Sequence, residues 1–180
     1  VDWHPLSAVL AYDAQIAASG ITTVFDSLRL GADERKSVTG TVSLDLGRII
    51  DDAQRRGLLR AEHRTHLRCE ICSPDVVDDL LTYLAALPAH LVSLMDHTPG
   101  QRQFRDIDKL LVYYSGKGGM SQAELEVFMA RRHELFDCYS VANRRALVEV
   151  ARSHRVRLAS HDDTTVEHVE ESLRDGVSIA

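Results

Sequence analysis

Short apolar segments alternate with longer amphipathic segments along the whole sequence, and this alternation restricts the possible folds. Four of the apolar segments are predicted strands: residues 21–26, 65–71, 90–96 and 155–160. Five segments with helical spacing are predicted helices: residues 4–19, 42–57, 73–87, 121–153 and 164–176. Such alternation is typical of parallel sheets with crossover helices, so we predict an α/β fold whose sheet is covered on both faces.

The remaining segments are predicted to be connections or strand starts. Residues 29–40 read as a polar loop, and residues 99–119 as a loop with one short helix. The final "VSIA" is apolar and begins another predicted strand. Because the chain starts at Val1 without Met and ends inside this apolar run, we expect it to be part of a longer protein.

Composition excludes some functional classes. The net charge of −6 gives no electrostatic reason to expect nucleic acid as a partner. No stretch reaches the roughly 18–20 apolar residues of a membrane span, so no membrane partner is expected. The three cysteines are an odd number and do not indicate a disulfide framework, which favours a reducing, cytoplasmic location.

Polar residues of metal-binding type follow four of the predicted strands. They are Asp26, Glu70, the pair Asp96–His97 and the triplet His161–Asp162–Asp163. The carboxyl ends of parallel strands lie at one edge of a sheet, where sites are commonly built. Imidazole and carboxylate groups bind zinc, manganese and iron. The sequence therefore raises the possibility of a metal site at this edge.

Period-2 alternation narrows the ligand set. His66, Arg68 and Glu70 share one face of their strand, which is costly in a buried sheet unless that face lines a polar cavity. The same alternation places His97 and His161 at the ends of their strands, so we predict that Glu70, His97 and His161 form one metal cluster.

Structural alternatives exist for each candidate. Asp162 or Asp163 could be no more than the N-cap of the helix that begins near Thr164, and Asp26 could form a turn. Cys69 and Cys72 have the spacing of a zinc or redox motif, but buried structural cysteines are the favoured interpretation.

Three further residues are considered as candidates, two with a functional and a structural interpretation and one with a structural interpretation only. Arg102, in a tight turn, could bind phosphate or lie on the surface. Lys117, in "SGKGG", could contact phosphate or belong to a solvated loop. His63 is predicted to be a surface residue.

Four sequence segments together resemble a known family. They are "ASGITTVFD", "AEHRTHLRCE", "LVSLMDHTPGQRQF" and "LASHDDTT", in this order. They resemble the PhnM-type proteins of bacterial phosphonate use, the α-D-ribose 1-methylphosphonate 5-triphosphate diphosphatases of the amidohydrolase superfamily. The resemblance implies a metal-dependent (β/α)8 (TIM) barrel. Residues 1–180 would be a single domain, the central part of that barrel from the first helix to the start of the sixth strand.

The resemblance also implies an activity and a set of residues. The family hydrolyses its substrate's triphosphate and releases pyrophosphate, in the carbon–phosphorus lyase pathway, using metal-activated water. By position, Glu70, His97 and His161 match metal ligands, with zinc favoured and manganese or iron possible. The catalytic candidates are Asp162 and Asp163, which would orient a ligand. The phosphate-binding candidates are His66, Arg68, Arg102 and Lys117.

The family's first-strand His-x-His motif and last-strand Asp would lie outside these 180 residues. We therefore expect this chain by itself to be inactive and to form homo-oligomers that cover the open edges of an incomplete barrel. Two alternatives are a deacetylase or cyclic amidase of the same superfamily, and a non-catalytic scaffold. The expected partner is a small phosphorylated ribose substrate.

Overall fold

The computed structural model describes residues 4–31, 40–102, 106–118 and 120–179, except for several side chains within 111–118. These residues form six helices and four strands. They are α1 (Pro5–Ala18), β1 (Thr23–Leu30), α2 (Gly40–Arg55), β2 (Glu62–Glu70), α3 (Val76–Ala86), β3 (Leu91–Met95), α4 (Ile107–Gly118), α5 (Gln122–Ser153), β4 (Arg157–Ala159) and α6 (Val166–Arg174). None of the helices within these ranges is long and apolar enough to cross a membrane.

The four strands form one parallel sheet in the order β1-β2-β3-β4, which confirms the predicted α/β class. Arg29 of β1 pairs in register with Arg68 of β2, which pairs with Ser93 of β3. A further parallel bridge joins Ala159 to Ile179, within the predicted fifth apolar segment. The strands therefore follow one another across the sheet in chain order, with no reversal among those described.

Strand β1 is longer than predicted. Its apolar alternation continues through Leu28 and Leu30, and both side chains are buried in the core. The prediction of a strand end at Asp26 is therefore wrong, because Asp26 lies in the middle of β1 on the core side. The helix predicted within residues 99–119 is present as α4, which spans 12 residues.

One face of the sheet packs against helices and the other is polar. The core side chains of the strands are Leu28, Leu30, Leu67, Cys69, Val92, Leu94 and Leu158, and they cluster with apolar residues of α2, α3 and α5. On the opposite face Phe25 is 44% exposed, and His66 and Arg68 are partly exposed. In the described part of the chain, the prediction that both faces are covered is therefore wrong. Most strand residues on the packed side are apolar, with Asp26 and His63 as exceptions, and the other side carries His66, Arg68 and Ser93.

A buried group of ionisable residues joins α1 to the sheet. Asp13 is fully buried and accepts hydrogen bonds from the backbone N–H groups of Arg60 (2.9 Å) and Ala61 (3.0 Å). His63 lies between Asp26 (Nδ1 to Oδ2, 2.8 Å) and Asp13 (Nε2 to Oδ1, 3.4 Å). The prediction that His63 is a surface residue is wrong, because its strand begins at Glu62 and places it on the core face.

The charge on Asp13 is stabilised by its neighbours. Burial by itself would raise the pKa of Asp13. The hydrogen bonds from Ala61, Arg60 and His63 outweigh burial and lower that pKa to about 2. Burial raises the pKa of Asp26, against the opposing effect of His63. Asp13 is therefore ionised at neutral pH and fixes the start of β2 to α1.

Asp13→Asn is expected to lower the free energy of unfolding by about 2 kcal/mol, because buried hydrogen-bond donors lose a charged acceptor. Urea denaturation measures this difference. It should shrink as the pH falls from about 4 towards 2, because wild-type Asp13, with its lowered pKa, loses its charge there. The control is Asp51→Asn, an exposed partner of Arg55. Equal unfolding free energies for Asp13→Asn and wild type would contradict the role assigned to this carboxylate.

Candidate functional site

Three predicted ligands come together at the carboxyl ends of the strands. Glu70 is the last residue of β2 and is fully buried, while His97 and His161 each lie two residues beyond the ends of β3 and β4. His97 Nδ1 is 2.6 Å from Glu70 Oε2. The ring centroids of His97 and His161 are 5.7 Å apart. The carboxyl ends of neighbouring parallel strands lie at one edge of the sheet, which brings these side chains, distant in sequence, together.

Glu70 is held in its ionised form. Its Oε1 accepts from the backbone N–H of His97 (3.2 Å) and from Arg132 of α5 (3.0 Å), and its Oε2 accepts from Arg29 of β1 (3.1 Å). Burial by itself would raise the pKa of Glu70. The hydrogen bond and charge of His97, with the charges of Arg132 and Arg29, outweigh burial and lower it to about 2.

His161 is held as a neutral ring. Burial lowers the pKa of His161, and the charges of Arg68 and His97 lower it further, while Asp162 opposes them. Arg68 Nη2 lies 2.9 Å from His161 Nε2, so the unprotonated ring nitrogen can accept this hydrogen bond. Asp162 Oδ2 lies 3.1 Å from the same nitrogen.

The donor set fits a divalent cation. One ligand atom from each of His97, His161 and Asp162 lies within 4.8 Å of the others. Among the described residues, Asp162 Oδ2 is buried and has no hydrogen-bond partner. A buried unsatisfied oxygen is costly and calls for an explanation such as an ion. Imidazole and carboxylate ligands suit zinc, manganese and iron. Asp162 thus groups with the two predicted histidine ligands.

Glu70 belongs to a second close group, with Cys72 and Asp96. Cys72 Sγ donates towards Asp96 Oδ1 (3.5 Å) and lies 3.3 Å from Thr98 Oγ1. Burial, followed by the charge of Asp96, raises the pKa of Cys72 to about 12, so the thiol stays protonated. Cys69 is fully buried on the apolar face. Both thiols are free, which favours the structural interpretation of this Cys-x-x-Cys segment over a redox one.

His66 occupies the polar face next to this group. Its Nε2 lies 2.8 Å from Ser93 Oγ, and its Nδ1 lies 3.3 Å from Ser27 Oγ. Burial, followed by the charges of Arg68 and His161, lowers the pKa of His66 to about 4. His66 is therefore neutral at pH 7 and acts there as a hydrogen-bonding group rather than as a cation.

Two other candidates bind each other. Arg102 is buried and donates to Asp163 Oδ1, and also to Glu171 Oε2 at 2.8 Å. Asp163 Oδ2 accepts from Ser172 Oγ at 2.9 Å. These contacts tie the turn after β3 to α6, and they engage both Arg102 and Asp163 in an ion pair within the chain.

The helix-capping alternative is wrong. The N-cap of α6 is Thr165, whose hydroxyl accepts from the backbone N–H of His168 at 3.2 Å. Asp162 and Asp163 precede this cap and make the contacts given above. Lys117 lies in α4, and its side chain is outside the described part of the structure.

The chain is 40% identical over 181 aligned residues to the α-D-ribose 1-methylphosphonate 5-triphosphate diphosphatase of Escherichia coli (strain K12). The family resemblance is confirmed. The alignment covers all of this chain and 48% of the E. coli protein, so the chain spans about half the length of this curated relative. No family profile and no solved structure matches the chain.

The sequence analysis did not predict the two arginines that contact Glu70. For Arg29 a signal was available, because Leu28–Arg29–Leu30 continues the strand alternation and places the arginine on the polar face. For Arg132 there was none, since α5 is long and rich in charged residues. The contact between Arg132 and Glu70 depends on how α5 packs.

Proposed function

We propose that this protein is a metal-dependent phosphoanhydride hydrolase that releases pyrophosphate from α-D-ribose 1-methylphosphonate 5-triphosphate during phosphonate catabolism. Similarity to the E. coli diphosphatase over the whole chain supports this proposal. The observation that carries it is the donor set of His97, His161 and Asp162, with its unsatisfied buried oxygen, at the carboxyl edge of a parallel sheet.

The proposed fold is the wall of a (β/α)8 barrel. In a doubly wound sheet the strand order reverses, whereas the four strands here follow chain order. Right-handed crossovers in chain order place helices on one face, and α2, α3 and α5 pack on one face here. The polar face with His66, Arg68 and Glu70 would then line the barrel interior. We propose that residues 1–180 are one domain of this barrel and that further strands or a second copy cover its edges.

The residues of this chain have separate tasks in the proposed reaction. His97, His161 and Asp162 would hold the cation, which when bound supplies Lewis-acid polarisation of a phosphoryl oxygen and lowers the pKa of water. Glu70 contacts Nδ1 of His97 and thereby leaves Nε2 as the remaining donor atom of that ring. Since the pKa of Glu70 is about 2, this carboxylate carries no proton at neutral pH and holds the His97 ring in one orientation.

Phosphorus NMR of the products tests the reaction. The full-length protein, supplied with zinc or manganese, is expected to convert the ribose triphosphate into pyrophosphate and the 5-phosphate, and a chelator should stop this conversion. An N-acetylated sugar and a cyclic amide should remain intact. Amide cleavage without pyrophosphate would favour the deacetylase or cyclic amidase alternative, and the absence of both reactions would favour a scaffold.

A further inference from the structure

Arg68 is a partly buried cation whose side-chain partner is an imidazole rather than a carboxylate. Its Nη2 donates to His161 Nε2 at 2.9 Å. In the described part of the chain, no carboxylate lies within ion-pair distance of Arg68, and this bond to His161 is the one hydrogen bond its side chain makes. Guanidinium has five N–H donors, and burying part of its charge without an anion is unfavourable.

Arg132 reaches the same cluster from α5. Its Nη2 donates to Glu70 Oε1 at 3.0 Å, and its side chain is 14% exposed. The carboxylate of Glu70 accepts from both Arg132 and Arg29 and contacts the ring of His97. Glu70 is therefore the carboxylate partner of two guanidinium groups, and Asp96 lies in the same close group.

The two arginines are linked through the cluster itself. Arg132 contacts Glu70, Glu70 contacts His97, and the rings of His97 and His161 lie 5.7 Å apart, with Arg68 bound to His161. A lone pair on His161 Nε2 cannot serve both Arg68 and a cation. When that nitrogen binds a cation, the guanidinium of Arg68 must turn to another acceptor.

We propose that Arg68 and Arg132 form a binding subsite for the polyphosphate arm of the substrate. Guanidinium groups bind phosphate oxygens through paired N–H donors, and neither side chain is sealed from solvent. Arg102 differs from them because it is buried and already has two carboxylate partners, Asp163 and Glu171. The identity of the substrate in this inference rests on the proposed function. The anion-binding site itself does not depend on that reaction.

Calorimetric titration with inorganic tripolyphosphate, in the presence of a chelator, tests the subsite without turnover. The full-length protein is expected to bind tripolyphosphate, and Arg68→Gln and Arg132→Gln should each weaken binding at least about tenfold. Matched controls are Arg64→Gln, on the same face of β2 beside Glu62, and Arg152→Gln, exposed on α5 beside Glu149. Both controls should bind like wild type.

Wild-type affinity in both Arg68→Gln and Arg132→Gln, or no binding of tripolyphosphate to the wild type, would overturn the proposal. If either glutamine variant fails to fold, the lysine variants Arg68→Lys and Arg132→Lys replace it. Each keeps the charge but loses the paired donors, so weaker binding by a protein with an unchanged melting temperature supports the subsite. An unchanged affinity in both lysine variants counts against it.

The outcomes separate this inference from the proposed function. Arginine-dependent binding of tripolyphosphate, without pyrophosphate release from the ribose triphosphate, would keep the anion subsite and reject the reaction. Pyrophosphate release with wild-type KM in both glutamine variants would keep the reaction and reject the subsite. Neutral ribose, used as a second probe, should not bind, because it lacks the charge that the arginines recognise.

Discussion

Replacing His161 or His97 by alanine is expected to abolish stoichiometric metal binding and to lower turnover on the order of a thousandfold. Each change removes one of the three donors that lie within 4.8 Å of one another. Loss of Lewis-acid stabilisation corresponds to several kcal/mol of activation free energy, and about 1.4 kcal/mol is a factor of ten in rate. Metal content by mass spectrometry and pyrophosphate release measure the two effects separately.

The control for this prediction is His154→Ala, since His154 is exposed at the end of α5 and contacts Val150 and Ser153. It should keep metal content and turnover unchanged. Stoichiometric metal in both His97→Ala and His161→Ala would reject the proposed donor set.

The metal affinity of Glu70→Gln distinguishes two roles for this carboxylate, as a direct metal ligand or as a residue that positions His97. If Glu70 acts by orienting His97, as its 2.6 Å contact with Nδ1 indicates, Glu70→Gln should weaken metal affinity about 10- to 100-fold rather than abolish it. Complete loss of the metal in a folded Glu70→Gln protein would instead make this carboxylate a ligand. That is the role to which its position in the family resemblance points.

Glu70→Ala is expected to lower the free energy of unfolding of the metal-free protein by about 3–5 kcal/mol. The change removes the buried carboxylate and leaves the guanidinium groups of Arg29 and Arg132 without this partner. Urea denaturation provides the measurement. The matched control is Glu134→Ala, which removes an exposed partner of Arg131 and should change stability by less than about 1 kcal/mol.

The pH dependence of this effect has a definite sign. The folded-state pKa of Glu70, about 2, lies below the ordinary value of 4.5. The stabilisation is therefore complete above pH 4.5 and is lost as the pH falls through about 2. The wild-type protein and Glu70→Ala should converge in stability over that range. A constant difference down to pH 2 would mean that packing, not charge, accounts for the effect.

Much of the fold could be predicted because local periodicity encodes it. Capping is a second local signal, because Ser121 and Glu124 have the spacing of a capping box and the structure contains both reciprocal hydrogen bonds at the start of α5. The error at β1 came from stopping the strand at Asp26, although Leu28 and Leu30 continue the alternation. The prediction that His63 lies on the surface was wrong because β2 begins three residues earlier than predicted.

The sequence by itself determined the α/β class, the parallel strands and the polar face of β2, because these follow from side-chain spacing along short segments. It also indicated the imidazole and carboxylate groups that end or follow β2, β3 and β4, but not the end of β1, which lies beyond Asp26. Only the tertiary structure decided which partner each charge has. Glu70 meets Arg29 and Arg132 across 41 and 62 residues of sequence, and Arg68 meets His161 across 93. Such contacts depend on sheet register and on helix packing, which no local pattern specifies.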